Sequence, residues 1–400
     1  MKKKILITSF DLAIGGVERS LIGLLQQIDY EQYDVDLLLF RHEGELLSYL
    51  PEGPQLLQEV PSYATFRKSI KQIAQEGYIP IAITRLLAKS FSTLYGKFKK
   101  MDEPDYLTIQ YGWEWTNAFL PRVEPMYDVA ISFLWPHHFI GQKVKAKKKI
   151  GWIHTDYSHI HINKTLEKRM WNRLDNIVAV SEDCGNTFLQ QFPYYKDNMK
   201  VIENILSPAM IKAKALAATP DEIKRGPGNT ILLTVARLSH AKGIDQAIHA
   251  CRELINQGYK LEWYVVGYGP LAEELQQLIH TLGLEKHFFL LGKKVNPYPY
   301  IRACDLYVQP SRYEGKAVTI REAQILGKPV VLTDFPTAKS QTQHGIDGWV
   351  TPLSIEGIVN GVKRLIDDQD LRKRLIDNTI QTDYGNETEI EKLYQLIEKE

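Results

Sequence analysis

The chain has 400 residues, 44% hydrophobic and 24% charged, with a formal net charge of +1. That length exceeds one ordinary core and suits two globular domains, and near-neutrality predicts no nucleic-acid partner. Its three cysteines, Cys184, Cys251 and Cys304, are widely spaced and form neither a disulfide framework nor a metal motif, which favours a reducing compartment.

The N-terminal MKKKILITSF has an apolar run broken at Thr8 and stopped at Asp11. It is too short for a signal peptide and reads as a buried strand, Ile5–Ser9. No run approaches the roughly 20 apolar residues that span a bilayer, so the expectation is a soluble, cytoplasmic chain, at most peripheral to a membrane. A helix over Val17–Ile28 and a strand over Val35–Phe40 come next. Residues 61–100 interrupt the alternation with eight Lys and Arg against Glu76 alone. Ile79–Leu87 with Phe91, Leu94 and Phe98 give this segment an apolar side, the pattern of a helix lying on an anionic membrane surface. The plain alternative is a solvated helix packed on the first domain. Lys143–Lys149 (KVKAKKK) adds a second basic cluster.

Strands are expected at Val129–Phe133, Ile150–His154 and Ile177–Ser181, with a helix over Leu166–Leu174. The polar stretch Pro220–Asn229 reads as an exposed connection. The pattern then restarts with strands at Ile231–Ala236, Trp263–Val266, Phe288–Leu291, Leu306–Gln309 and Val330–Thr333, and helices at Ile244–Gln257 and Leu271–Leu282. Strands apolar along their whole length are those of parallel sheets buried on both faces. The fold class expected is α/β, two Rossmann-like doubly wound domains facing across a cleft, residues 1–205 and 206–385. Ligands bind such sheets at the carboxyl ends of the strands.

Three motifs fall at those ends. Gly15-Gly16-Val17-Glu18-Arg19 follows the first strand and opens a helix, where backbone amides favour anions, although it is no dinucleotide fingerprint. Arg237 and Lys242, in ARLSHAKG, put two cations between a buried strand and a helix start, where a diphosphate needs charge-assisted donors. Glu314 and Glu322, in PSRYEGKAVTIREA, lie eight residues apart, one in a loop and one on a helix, so both carboxylates can address one ligand. A surface acid with a helix-capping acid is the plain alternative.

Together the GGVER start, the ARLSHAKG loop, the GYGP turn at Gly267–Pro270 and the PSRYEG…REA segment resemble family 4 of the retaining GT-B glycosyltransferases. The resemblance implies that Arg237 and Lys242 grip the diphosphate of a nucleotide-sugar donor, Glu314 meets the transferred sugar and Glu322 the ribose. It implies that the amides of Gly315, Lys316, Ala317 and Val318 meet sugar and phosphate. Gly267 joins the donor site, Leu291–Ile301 with Asn296, Pro297 and Tyr298 borders the base, and Gly16 approaches the reaction centre from the other domain. The family's active-site histidine is matched by His154, with His137 and His138 as competitors. Lys316 and Ala317 depart from the common Phe-Gly and leave the donor sugar open. The resemblance also implies that a terminal helix, about 386–400, packs back on the first domain.

The expected reaction is retaining sugar transfer to a glycan or lipid-linked acceptor of a surface polysaccharide such as capsule, with no cofactor. No metal is expected, since fixed cations would replace it. Of the Asp-x-Asp pairs, Asp34/Asp36 opens a strand and does not end one, and Asp368/Asp370 lies in a charged helical stretch far from the motifs. Two other readings remain, a nucleotide-sugar epimerase or hydrolase on the same fold, and a non-catalytic partner subunit.

Overall fold

A computed structural model of the protein describes residues 2–99, 105–314 and 316–399. The chain forms two compact units, Met1–Ile205 with Thr388–Glu400, and Leu206–Glu387.

The first unit is built on a parallel sheet of β1 (Lys3–Ser9), β2 (Tyr33–Leu39), β3 (Gln55–Leu56), β4 (Val123–Ser132), β5 (Val144–Ile153), β6 (Asn176–Ala179) and β7 (Met199–Val201). Their order is β3-β2-β1-β4-β5-β6-β7, so the direction of progression reverses between β1 and β4. Ile5, Leu6 and Ile7 of β1 are fully enclosed, with Ile5 in register with Val35 on one side and Val129 on the other. This is why β1 is apolar at successive positions and does not alternate.

β4 and β5 begin about six residues before the expected strands. The lysine cluster supplies the early part of β5 and spends its charge within the unit. Lys147 reaches Asp128 at 2.7 Å, and the Lys148 ammonium donates to the Leu396 carbonyl at 2.9 Å. That carbonyl belongs to the helix Glu389–Glu398, which buries Leu393, Leu396 and Ile397 in this unit and stacks Tyr394 on Tyr33 at 5.0 Å. Lys3 donates to the Ile397 carbonyl at 3.3 Å, so two cations sit at the negative end of that helix. Part of the KVKAKKK cluster thus ties β5 to β4 and to the C-terminal helix.

Residues 61–99 hold the helices Ile70–Gln75 and Ile79–Lys99. The longer one buries Ile81, Ala82, Ala88 and Ser92 against its own unit. Its Arg85 guanidinium donates to the Thr65 carbonyl at 3.1 Å, and burial holds its pKa below the ordinary value. Among the described residues no helix is long and apolar enough to cross a membrane.

The second unit repeats the plan with β8 (Thr230–Val235), β9 (Leu261–Val266), β10 (Phe288–Leu290), β11 (Leu306–Gln309), β12 (Val330–Thr333) and β13 (Trp349–Thr351), ordered β10-β9-β8-β11-β12-β13. All are parallel, and progression reverses between β8 and β11. Two apolar layers cover the sheet. One holds Ile248, Leu254, Trp263 and Val362, the other Ile211, Tyr264, Tyr307 and Ile320. Pro220–Asn229 lies inside this unit, after the helix Pro208–Leu216, and does not join the two units.

Candidate functional site

The reversal between β8 and β11 places two strand-end loops side by side, and the expected donor residues lie on them. After β8 the chain runs through Arg237 to Lys242 and enters the helix Ile244–Asn256 at Gly243. Gly243 has φ 63°, and a Cβ there would stand 2.0 Å from the Pro310 carbonyl oxygen. Only glycine lets the two loops come this close. The Arg312 and Tyr313 amides donate to the Ala241 carbonyl at 2.8 and 3.4 Å. The Arg312 guanidinium clamps Asp245 at 2.8 and 2.6 Å and donates to the His240 carbonyl at 2.8 Å. Burial opposes ionisation of Asp245, but the hydrogen bonds and charge of Arg312 prevail and lower its pKa.

This join brings Lys242 and Glu314 into a direct ion pair. Glu314 is 8% exposed. Its Oε1 accepts from the Ser311 hydroxyl at 2.7 Å and from Gln309 Nε2 at 3.2 Å, and Gln309 is held by the Tyr307 hydroxyl at 2.8 Å. The Thr337 hydroxyl donates to the Glu314 carbonyl at 3.0 Å. A buried carboxylate with three donors is a satisfied, pre-positioned acceptor.

Glu322, in the helix Val318–Ile325, is 1% exposed and accepts from the Tyr298 hydroxyl at 2.9 Å. A solvated Glu322–Arg321 pair is thereby ruled out, since Arg321 instead lies over the Tyr384 ring at 4.5 Å. Tyr298 begins the helix Tyr298–Ala303, its amide donates to Asn296 Oδ1 at 3.2 Å, and Pro297 precedes it as helix cap. The segment expected at the base is thus tied to the acid expected at the ribose. Gly267 is pressed on the Arg237 loop, where a Cβ would lie 1.8 Å from the Ala236 carbonyl oxygen.

The Arg237 side chain is exposed and makes no hydrogen bond or ion pair with another described residue, whereas Lys316 is half-buried. Gly315 lies outside the described residues. The Ala317 amide donates to Gln341 Oε1 at 2.8 Å and the Val318 amide to the Lys316 carbonyl at 3.1 Å, so both amides are engaged within the protein.

Residues that the sequence did not single out hold this site: Arg312 with Asp245, Gln309 with Ser311, and Thr337 with Gln341. The polar character of Gln309 at the end of an apolar strand was the one available signal.

In the first unit Gly16 opens the helix Gly16–Gln27 after β1, and a Cβ there would meet nothing within 4 Å. His154 follows β5, its ring 4.7 Å from Phe133, with Nε2 enclosed and without a described hydrogen-bond partner. Burial pushes its pKa down to about 3. His137 and His138 follow β4 at the reversal point and are enclosed. The His137 Nδ1 pairs with the Ser132 hydroxyl at 2.8 Å, and His138 Nε2 lies 3.3 Å from Glu114. Burial lowers these two to about 3 and about 4. Asp36 lies within β2 and accepts from the Tyr127 hydroxyl at 2.7 Å, and Asp368 caps the helix Gln369–Gln381. Among the described residues no group of three or more His, Cys, Asp or Glu could hold a metal ion.

A family model described as Glycosyl transferases group 1 matches residues 218–382, the stretch that carries Arg237, Lys242, Glu314 and Glu322. The alpha-D-kanosaminyltransferase of Streptomyces kanamyceticus is 30% identical over 151 residues, 37% of this chain and 39% of that protein. The N-acetylgalactosamine-N,N'-diacetylbacillosaminyl-diphospho-undecaprenol 4-alpha-N-acetylgalactosaminyltransferase of Campylobacter jejuni is 26% identical over 215 residues, 53% of this chain and 56% of that protein. The chain thus spans between 39% and 56% of the length of these two relatives. Over the whole length of both chains, the structure superposes on Anabaena Alr3699/HepE, solved with UDP and glucose, with TM-score 0.65 and 20% identity. The fold is the GT-B architecture, two α/β domains with parallel sheets of seven and six strands.

Proposed function

We propose that this protein moves a hexosyl or related sugar from a nucleoside-diphosphate donor to a glycan or lipid-linked acceptor, with retention at the anomeric carbon and without a metal. The observation that carries the reading is the Lys242–Glu314 pair at the junction of the β8 and β11 loops, with Glu322 enclosed on the following helix. The bond from the anomeric carbon to the β-phosphate breaks as the bond to the acceptor oxygen forms, and the acceptor proton passes to the leaving phosphate. Catalysis then consists of stabilising the charge that grows on that phosphate. Lys242 is placed to exchange Glu314 for the diphosphate, because Ser311 and Gln309 keep Glu314 satisfied when it leaves. Arg237 adds a second cation, Glu314 accepts from sugar hydroxyls and Glu322 from the ribose. His154, neutral at pH 7, offers a hydrogen bond to the transferred sugar. It is favoured over His137 and His138 because it stands at a strand end and is less enclosed.

The name of the Campylobacter relative, with its diphospho-undecaprenol substrate, supports the lipid-linked version. The test is a panel of nucleoside-diphosphate sugars with polyprenyl-diphosphate glycans, followed by NMR of the new linkage, with and without EDTA. One donor should raise the melting temperature and yield a product of unchanged anomeric configuration that is insensitive to EDTA. Donor hydrolysis without transfer to any acceptor would favour the hydrolase reading. No nucleoside diphosphate bound by calorimetry would leave a non-catalytic subunit.

A further inference from the structure

Glu167, in the helix Lys164–Trp171, is fully enclosed, and the proposed reaction does not use it. Its Oε1 accepts from the Tyr157 hydroxyl at 2.7 Å and from the Tyr106 hydroxyl at 3.2 Å, and its Oε2 accepts from Gln110 Nε2 at 2.5 Å. Burial raises its pKa, and these donors oppose the rise. Burial, aided by the charge of Glu167, also pushes both tyrosine hydroxyls well up, so they stay protonated and donate. The partners of Glu167 among the described residues are all neutral, so enclosing it costs more than enclosing an apolar side chain of the same size. What a carboxylate supplies in exchange is two acceptor oxygens and no donor. It can therefore collect O–H and N–H groups from several elements at once.

The donors lead to the turns at the carboxyl ends of β4 and β5. Tyr157 lies in the turn that His154 opens after β5. Tyr106 and Gln110 lie on the helix Asp105–Thr116, and the Tyr106 ring packs edge-on at 4.4 Å against Trp135, in the turn after β4. Gln110 also donates to the Asn163 carbonyl at 3.2 Å and accepts from the Asn163 amide at 2.9 Å, which fixes the far end of the turn that begins at His154. Both strand-end turns are thus tied to one carboxyl group.

We infer that Glu167 is a positioning residue for sugar transfer: through Tyr157 and Gln110 it holds the turn that carries His154, and through Tyr106 and Trp135 the turn after β4. The inference rests on the proposed transfer for its purpose, since that reading sets His154 against the transferred sugar, though not for its geometry. The experiment compares the full chain with Glu167→Gln, which puts an amide N–H among three donors, and with Tyr157→Phe, which removes one tie and keeps the ring. Side-chain NMR follows His154. In the parent its ring should stay neutral down to about pH 5, since burial holds it at about 3. Each variant should bring its midpoint above about pH 5 by letting water reach the ring. In transfer assays each variant should lose about tenfold in kcat, with the KM for the donor unchanged within about twofold. The donor is spared because Lys242, Glu314 and Glu322 lie on the second unit. A purely structural role would lower the melting temperature and leave kcat and the His154 titration where the parent has them. Given transfer by the parent, the inference needs both effects in a folded variant, and either one alone, or neither, overturns it. Tyr157→Phe decides the matter if Glu167→Gln does not fold. If the parent transfers no sugar, the proposed reaction fails, and the His154 midpoint alone then decides whether Glu167 holds the turn.

Discussion

The two units share a sheet plan, with progression reversing beside the first strand of each, yet they furnish the reversal point differently. In the second unit the loops after β8 and β11 carry charge, a cation paired with an enclosed acid and a second cation left exposed. In the first unit the corresponding ends of β1 and β4 carry adjacent glycines and enclosed histidines held neutral by burial. The strand order fixes where a ligand can sit, and the loops decide what chemistry meets it. The charged end suits a diphosphate, and the neutral end suits hydroxyl groups.

The largest expected effect falls on the charged end. Lys242→Ala and Glu314→Gln should each lower transfer by about a hundredfold to a thousandfold, the range seen when a group that stabilises transition-state charge is removed. The double variant should lose nearly the product of the two single losses, because with donor bound Lys242 meets the diphosphate and Glu314 the sugar. Steady-state kinetics on the four proteins measures this, and a double variant no worse than either single one would show that the pair still acts as a unit. On the neutral end, His154→Ala should cost roughly tenfold to a hundredfold in kcat while the fold persists, in keeping with one positioned hydrogen-bonding group. The same change at His137 should act chiefly on stability, since His137 is fully enclosed and packs 4.8 Å from Trp171. Equal kinetic loss at both positions would erase the distinction between them.

Acid should separate the units as well. Burial puts His137 at about 3, against an ordinary value of 6.5. The unfolded chain therefore takes up a proton that the folded one refuses. The stability this histidine contributes is complete above 6.5 and is lost as pH falls toward 3. The loss is on the order of 2 kcal/mol by about pH 5. His138 and His154 act in the same sense. Glu167 opposes them, its carboxyl pushed up by burial among Tyr157, Gln110 and Tyr106. His137→Gln should flatten the pH dependence of the first unit's melting, read by hydrogen exchange between pH 7 and pH 5. An unchanged slope would mean that His137 protonates without cost.

Much of this arrangement was legible from residue type alone. Strands such as Leu306–Gln309 and Val330–Thr333 stand in the sequence with their observed bounds, because central parallel strands are apolar at every position. β3, β7 and β13 were not foreseen, being two or three residues long at or near the sheet edges. The start of β5 was hidden because its lysines find partners only in the folded unit, on Asp128 and on the helix Glu389–Glu398. In the site, Arg237 and Lys242 could be picked out as two cations between a buried strand and a helix start, and Glu314 and Glu322 as two acids eight residues apart on a loop and the helix after it. Arg312 and Asp245 could not, since a clamp 67 residues apart in sequence has no local signature.

Arg237 gives the smallest and most selective test of the contrast. Its side chain is exposed and bonds to no other described residue, so truncating it leaves no group unsatisfied. Arg237→Ala should change stability by less than about 0.5 kcal/mol, as surface substitutions do. Its effect should appear only when a diphosphate is present, where one lost charge-assisted contact weakens binding by about tenfold. Calorimetry with a nucleoside diphosphate and with the bare nucleoside separates the cases. The nucleoside should bind parent and variant alike, since it lacks the group that Arg237 addresses. If the variant loses both ligands equally, Arg237 shapes the pocket as a whole, and the charged end of the second unit would rest on Lys242 alone.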